Sequence, residues 1–377
     1  MIYLDNSATT YPKPECVYKK LDDMNRNHAF NAGRGSYKQS TEAMQIITNA
    51  RKCIAEYAGT DDSRVIFTSS ATESLNMIIN GLDIKENDNI YVSVFEHNAV
   101  IRPLVATKAK IHIIPFDKKT WQLDIDKLCD MFAVNNPKAV FLSHVSNVTG
   151  FVLPYDIIFN QSKKYNSINV LDCAQSFGVI KPANFAGNLE NNILDYAVFA
   201  GHKSMYGPFG AAGFIKYGND NLKISKFGGT GTDSLNPNMP SSLPGRYEAG
   251  SENVGAIAGM LEGFNWAISK DIFKHEYELT EYLIDQLKKL DNVKIYLPEG
   301  IKPLGIVSIS VDNYNSEDVA SILSEDFDIC VRAGYHCAPY IHDFIESKNS
   351  LGTVRISLSA FNTKQDIDFL IKAIKGL

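Results

Sequence analysis

The chain has 377 residues, 45% hydrophobic and 21% charged, enough for a large domain and a smaller one, each with its own core. A formal net charge of −6 without blocks of like charge argues against nucleic acid as a main partner, and no apolar run approaches the length of a membrane-spanning helix. The six cysteines (Cys16, Cys53, Cys129, Cys173, Cys330 and Cys337) are scattered with no Cys-x-x-Cys pair. They read as neither a disulfide framework nor a zinc site, and a reducing cytoplasm suits them; the N-terminus turns polar by Asp5, unlike a signal peptide.

From residue 60 to 215 short apolar runs alternate with amphipathic stretches. Strands are expected at Val65 to Thr68, Asn89 to Val94, Lys110 to Pro115, Ala139 to Ser143, Asn169 to Asp172, Asp195 to Phe199 and Ala212 to Tyr217. Helical periods such as Thr72 to Asn80 and Tyr155 to Tyr165 lie between them. That alternation predicts crossover units and an α/β fold with a mostly parallel seven-stranded sheet flanked by helices. A Pro- and Ser-rich stretch, "NPNMPSSLPG" (236–245), reads as a long loop. Beyond it come helices at Val254 to Ile268 and Ile272 to Leu290, and strands at Val293 to Leu297 and Ile306 to Val311. A helix (Ser316 to Ser324), a strand pair (Asp328 to Arg332 with Thr353 to Leu358) and a closing helix from Thr363 follow. This second texture predicts a smaller α+β domain of residues 1–14 and 261–377, with 15–260 forming the large domain.

In a parallel sheet, ligands bind beyond the carboxyl ends of the strands. Polar residues gather at five such ends. In "AGHKSMYGPFG" Lys203 follows an apolar strand, hemmed in by small residues; it is either a solvated turn lysine or one that bonds a carbonyl cofactor. "TSSATESLN" places Ser70, Ala71 and Thr72 where a helix opens, either a capping box or a phosphate cradle. Asp172 in "VLDCAQSFG" is either a helix cap or a carboxylate for a protonated pyridine nitrogen, with Gln175 three residues on as a donor to a ring oxygen. His97 can stack on an aromatic ring and shuttle protons, and Asn147 stands ahead of the Gly150 turn. In "VRAGYHCAPY" Cys337 neighbours His336 and lies five residues after Arg332, and positive neighbours raise a thiol's thiolate fraction. Arg355 alternates with apolar residues in "GTVRISLSAF" and suits bidentate capture of a carboxylate.

The segments "YLDNSATT", "SATES", "EHNA", "SNVTG", "LDCAQS", "AGHKSMYGPFGAAG", "YEAGS" and "RAGYHCAP" occur in this order. The chain thereby resembles the class V aminotransferase-like enzymes and, more narrowly, the cysteine desulfurases. The resemblance runs from residue 3 to the C-terminus. It implies a fold-type I homodimer that binds pyridoxal 5′-phosphate (PLP) covalently at Lys203. It further implies Thr72, Gln175 and His202 as cofactor contacts, Asp172 at the pyridine nitrogen and His97 over the ring. Ser251 corresponds to a phosphate contact reached from the neighbouring subunit, Asn147 and Arg355 to the holders of the substrate carboxylate, and Cys337 to the sulfur acceptor; Arg332, near Cys337, is counted with Asn147 and Arg355 as substrate-binding. Two departures stand out: Ala200 replaces a frequent phosphate-binding serine, and Tyr335 replaces a frequent histidine beside the cysteine loop.

The activity so implied is conversion of L-cysteine to L-alanine, with sulfur passed through Cys337 to an acceptor protein, as in iron–sulfur cluster assembly. Other readings on the same scaffold are a selenocysteine lyase and another class V lyase or aminotransferase. A non-catalytic scaffold is the reading of a different class, and Lys203, Asp172 and Cys337 together speak against it. No metal site, nucleic acid or membrane is expected.

Overall fold

The computed structural model describes residues 1–33, 35–181, 192–219, 221–231 and 234–377. Seven strands form the large sheet: β2 (Val65–Thr68), β3 (Asn89–Val92), β4 (Lys110–Ile113), β5 (Pro137–Ser143), β6 (Ile168–Asp172), β7 (Tyr196–Ala200) and β8 (Ala212–Lys216). Their spatial order is β2-β8-β7-β6-β5-β3-β4. Neighbours from β7 across to β4 are parallel; β8 alone runs against the others. The central strands are covered on both faces, which is why they read as unbroken apolar runs. Leu171 of β6 packs into one core layer and its neighbour Val170 into the opposite one. The expected mixed, mostly parallel sheet is therefore present, with strand ends within two residues of the expected ones.

One short strand pair and a second sheet complete the fold among the described residues. Strand β1 (Ile2–Tyr3) lies parallel to β11 (Ile329–Cys330). The second sheet has the order β12-β13-β10-β9, from β9 (Val293–Ile295), β10 (Ile306–Val311), β12 (Arg332–Gly334) and β13 (Thr353–Ser357). The single strand expected over Asp328 to Arg332 is in fact two. Residues 329–330 pair with the N-terminus, Val331 crosses over, and Arg332 pairs with Arg355 across an antiparallel ladder. The N-terminal strand thus pairs with a strand from the C-terminal part of the chain. The helix Val254–Ile268 runs unbroken through residue 260. Helices Glu15–Asn27 and Lys38–Ala58 stand where the sequence reading names no element.

The two units meet tightly at Gly150. Its φ is +69°, and a Cβ there would lie 2.6 Å from the Ile306 carbonyl and 2.9 Å from that of Leu304. Only glycine tolerates both constraints. Close by, Ser308 Oγ of β10 donates to the Val148 carbonyl (2.6 Å). A second junction is aromatic: Phe344, just after the cysteine loop, packs on Phe95 and Trp121 of the large unit. Among the described residues no helix is long and apolar enough to cross a membrane.

Candidate active site

Strand ends β5, β6 and β7 and the starts of two helices enclose a cavity of about 160 Å³. Its walls include Ser70, Ala71, Thr72, His97, Asn147, Asp172, Gln175, His202 and Lys203. Nine residues singled out from scattered motifs are therefore brought to one place. Ala200 lines it too.

Lys203 is half-buried there. Burial lowers its amine to about pH 8; Arg355 and Arg332 push the same way, against Asp172 and Cys337. Asp172 Oδ1 accepts from the Ala174 amide (2.9 Å), and Oδ2 has no partner among the described residues. Burial raises its pKa, opposed by that amide and by Lys203. Gln175 Nε2 donates to the Ser7 carbonyl (2.9 Å), which leaves its second N–H available.

Capping and ligand roles prove compatible at Ser70. Its Oγ accepts from the Glu73 amide (3.1 Å) and starts the helix Ala71–Gly81, while the hydroxyl proton remains to donate. Glu73 does not close a capping box; its carboxylate takes the Ser69 amide and hydroxyl instead. The exposed Thr72 hydroxyl and His202 Nδ1 are the other donors, and His202 Nδ1 is buried without a partner. An orphaned ring nitrogen, two hydroxyls and a helix N-terminus around one cavity fit a phosphate group. His202 is neutral, its pKa lowered to about 3 chiefly by burial, so it would bind as a hydrogen-bond donor and not as a cation.

Burial works against the charged form of two of the histidines. His97 is one of them. Its Nδ1 accepts from the Ala99 amide (3.0 Å), capping the helix Asn98–Ala106, and burial with the nearby cations lowers its pKa to about 3. It is a neutral ring with its proton on Nε2. Likewise His336 is no cation beside Cys337. It is buried, its Nε2 donates to Thr353 (3.0 Å to the carbonyl, 2.8 Å to Oγ1), and its pKa falls well below the ordinary value. The positive neighbour is Arg332, whose Nη2 lies 3.6 Å from Cys337 Sγ.

Cys337 itself is exposed, at the edge of an open groove of about 830 Å³ that Arg102, Arg332, Tyr335 and Tyr340 also line. His336 and Cys337 both have left-handed backbone (φ 49° and 56°), strain of the kind that collects at functional loops. The loop is tied down at its base. Asn98 N donates to the Cys337 carbonyl (2.7 Å) and Asn147 Nδ2 to the His336 carbonyl (2.8 Å). Since His97 lines the inner cavity and Asn98 the groove, thiol and amine stand on two sides of one turn.

Arg355 is not the open fork its strand position suggested. It is 1% exposed; Nη2 donates to Asp5 Oδ1 (2.6 Å) and Nη1 to the Asn147 carbonyl (3.0 Å). Ser251 stands apart, in a neighbouring cavity of about 280 Å³ with Thr68, Ser69, Lys226 and Glu248.

Sequence reasoning gave no role to two groups. Glu96 is wholly buried beneath the site; its carboxylate accepts from Ser93 Oγ (2.5 Å), Ser143 N (3.0 Å) and Ser143 Oγ (2.9 Å). Burial raises its pKa to about 7 despite those donors. Its signal was an acid inside an apolar run. The other group is the N-terminal segment: the His202 carbonyl accepts from Thr9 Oγ1 (2.9 Å), Thr10 N (3.2 Å) and Lys13 Nζ (2.8 Å).

The family model described as Aminotransferase class-V matches residues 2–370. A probable cysteine desulfurase of Vibrio cholerae serotype O1 is 30% identical over 99% of this chain and 93% of its own length. A cysteine desulfurase of Wigglesworthia glossinidia brevipalpis is 30% identical over 99% and 92%. The apo structure of a cysteine desulfurase from Thermococcus onnurineus NA1 superposes with a TM-score of 0.89 at 28% identity, covering 100% of this chain and 94% of that one. The chain belongs to the class V aminotransferase family, and these relatives place it among the cysteine desulfurases.

Proposed function

We propose that the protein is a PLP-dependent desulfurase that moves sulfur from L-cysteine to Cys337 and releases L-alanine. One juxtaposition carries this reading: a lysine, an aspartate and a helix N-terminus share a cavity, and an exposed thiol under an arginine stands just outside it. The bound cofactor supplies an electron sink for the carbanion at the substrate α-carbon. Lys203 would hold the cofactor covalently until the substrate's amine takes its place, and the amine so freed, its pKa lowered to about 8 by burial, would accept the α-proton. Asp172 keeps a proton on the ring nitrogen. Ser70, Thr72 and His202 Nδ1 receive the phosphate, Ala200 offering no hydroxyl. His97, which lines the same cavity, would stack on the ring.

Arg355 and Asn147 hold the substrate carboxylate. The Cys337 sulfur, with Arg332 Nη2 3.6 Å away, attacks as thiolate and bonds to the substrate sulfur as the carbon–sulfur bond breaks. The electron pair goes to carbon, which is protonated to give alanine, and Cys337 is left as a persulfide for an acceptor protein in the groove. The proposal includes a homodimer in which Ser251 serves the neighbouring copy's site, and a cytoplasmic location.

The test is to incubate wild type and Cys337→Ala with L-cysteine and with L-selenocysteine. Expected are alanine and a persulfide on Cys337 by mass spectrometry in the wild type, and little alanine from L-cysteine in the variant, which keeps its yellow cofactor band. Alanine formed by the variant at the wild-type rate would remove Cys337 from the reaction. Loss confined to L-cysteine would turn the reading to a selenocysteine lyase.

A further inference from the structure

Residues 5–13 bond to three of the candidate site residues, Arg355, Gln175 and His202. Asp5 holds Arg355, the Ser7 carbonyl takes Gln175, and Thr9, Thr10 and Lys13 grip the carbonyl preceding Lys203. The segment is itself pinned: Asn6 Nδ2 donates to the Ser357 carbonyl (2.9 Å) and the Ser7 amide to Ser357 Oγ (2.9 Å), next but one to Arg355 on β13. Asp5 is therefore carried on a fixed support, with a side chain 21% exposed against 1% for its arginine partner.

The guanidinium has three nitrogens. Nη1 and Nη2 are held by the Asn147 carbonyl and by Asp5, while Nε is buried with no partner. A buried N–H left unpaired costs about 1–3 kcal/mol and calls for a missing partner. We propose that Asp5 is the positioning residue for Arg355: with the Asn147 carbonyl it locks the guanidinium so that Nε and the second N–H of the terminal nitrogens are kept for the α-carboxylate of the amino-acid substrate. This rests on the reading of Arg355 as the substrate's carboxylate holder.

The opposite arrangement, in which Asp5 competes with the substrate for the same arginine, fits the geometry less well. Displacing Asp5 would break the 2.6 Å ion pair that holds Nη2. Asp5 also supplies the counter-charge for a cation that is almost wholly out of water, where an unpaired charge is strongly unfavourable. Substrate need not displace it, because the N–H donors kept for the carboxylate are not the one that Asp5 accepts.

The experiment compares ligands that keep or lack the carboxylate, using holoenzyme: L-alanine against ethylamine by change in the cofactor's absorbance, and L-cysteine against cysteamine where turnover is followed. Asp5→Ala should weaken L-alanine binding about tenfold or more and raise KM for L-cysteine, with the effect falling on KM more than kcat. Ethylamine affinity should stay unchanged. Asp5→Asn keeps an oxygen acceptor for Nη2 and should recover most of the lost affinity. Asp5→Ser, too short to reach Nη2, serves the same purpose if the alanine variant does not fold. Equal loss for both ligand types would mean general structural damage, and unchanged or tighter L-alanine binding would mean a bystander or a competitor; each overturns the proposal. Should the wild type itself fail to favour L-alanine over ethylamine, the assignment of Arg355 falls first and that of Asp5 with it.

Discussion

Two lysines near the cavity have amines that titrate far below the ordinary value of about 10.4. Lys203 is brought to about 8 and Lys13 to about 7, each mainly by burial. Only Lys203 lines the cavity; Lys13 spends its protons on Thr10 Oγ1 (2.7 Å) and the His202 carbonyl. An amine reacts with a carbonyl when unprotonated, so capture of PLP by the cofactor-free chain should accelerate as pH rises through about 8. Borohydride trapping followed by peptide mass spectrometry at several pH values checks this, and an adduct on Lys13, or a midpoint near 10, would count against Lys203. Asp172→Ala tests the other end of the cofactor. Loss of a preorganised charge contact of roughly 4 kcal/mol corresponds to about a thousandfold in turnover. Near-normal turnover would mean that Asp172 does not face the ring nitrogen.

At the scale of elements, the least obvious contact is between the helix Lys38–Ala58 and the segment that carries Ser251. Arg51 grips Glu248 through both terminal nitrogens (2.8 Å each), and Glu248 also accepts from the Phe67 amide of β2 (2.6 Å). Both side chains are almost fully buried. Removing one partner of such a pair costs about 3–5 kcal/mol, so Glu248→Ala should lower the urea midpoint markedly. Glu248→Gln, which keeps an acceptor for Phe67 N, should fall between. An unchanged midpoint would show the pair to be dispensable. The strand ends that carry Ser70, Asp172 and Lys203 were legible because a parallel sheet with both faces covered writes itself as apolar runs with polar stops. The pairing of Asp5 with Arg355 was not, since 350 positions separate them and each alone is an ordinary polar residue. Nor does sequence reveal that His336 is buried and neutral, a fact set by Thr353 on a strand 17 residues away.

For the whole molecule, the question is whether one chain suffices. Ser251 opens into its own cavity, beside but not within the one that Lys203 lines. Residues next to that second cavity's walls are apolar and bare: Phe209 is 65% exposed and Phe227 73%. Large exposed aromatics beside a polar cavity suit an interface between copies. The active form should therefore sediment as a dimer, and Phe227→Asp should shift it toward monomer with activity that rises with protein concentration. Full activity in a species that sediments as a monomer would remove Ser251 from the site. The split of the expected 328–332 strand belongs to this scale as well. Local propensity marked the run as extended, but only the return of the N-terminus to pair with residues 329–330 decides where it breaks.

Gly150 is the spacer of this machine, and its thickness is zero. The carbonyls of Leu304 and Ile306 rest directly on its α-carbon, and β10, which begins at Ile306, lies against β13 with Ser308 opposite Arg355. On the near side of the same turn, three residues back, is Asn147, whose carbonyl reaches Arg355. A single methyl group at position 150 would therefore act as a shim, prising one sheet from the other and misaligning the two halves of the carboxylate clamp without touching either. Gly150→Ala should raise KM for L-cysteine while the cofactor band keeps its wavelength; a shifted band with an unchanged KM would mean that the shim is felt on the wrong side of the turn.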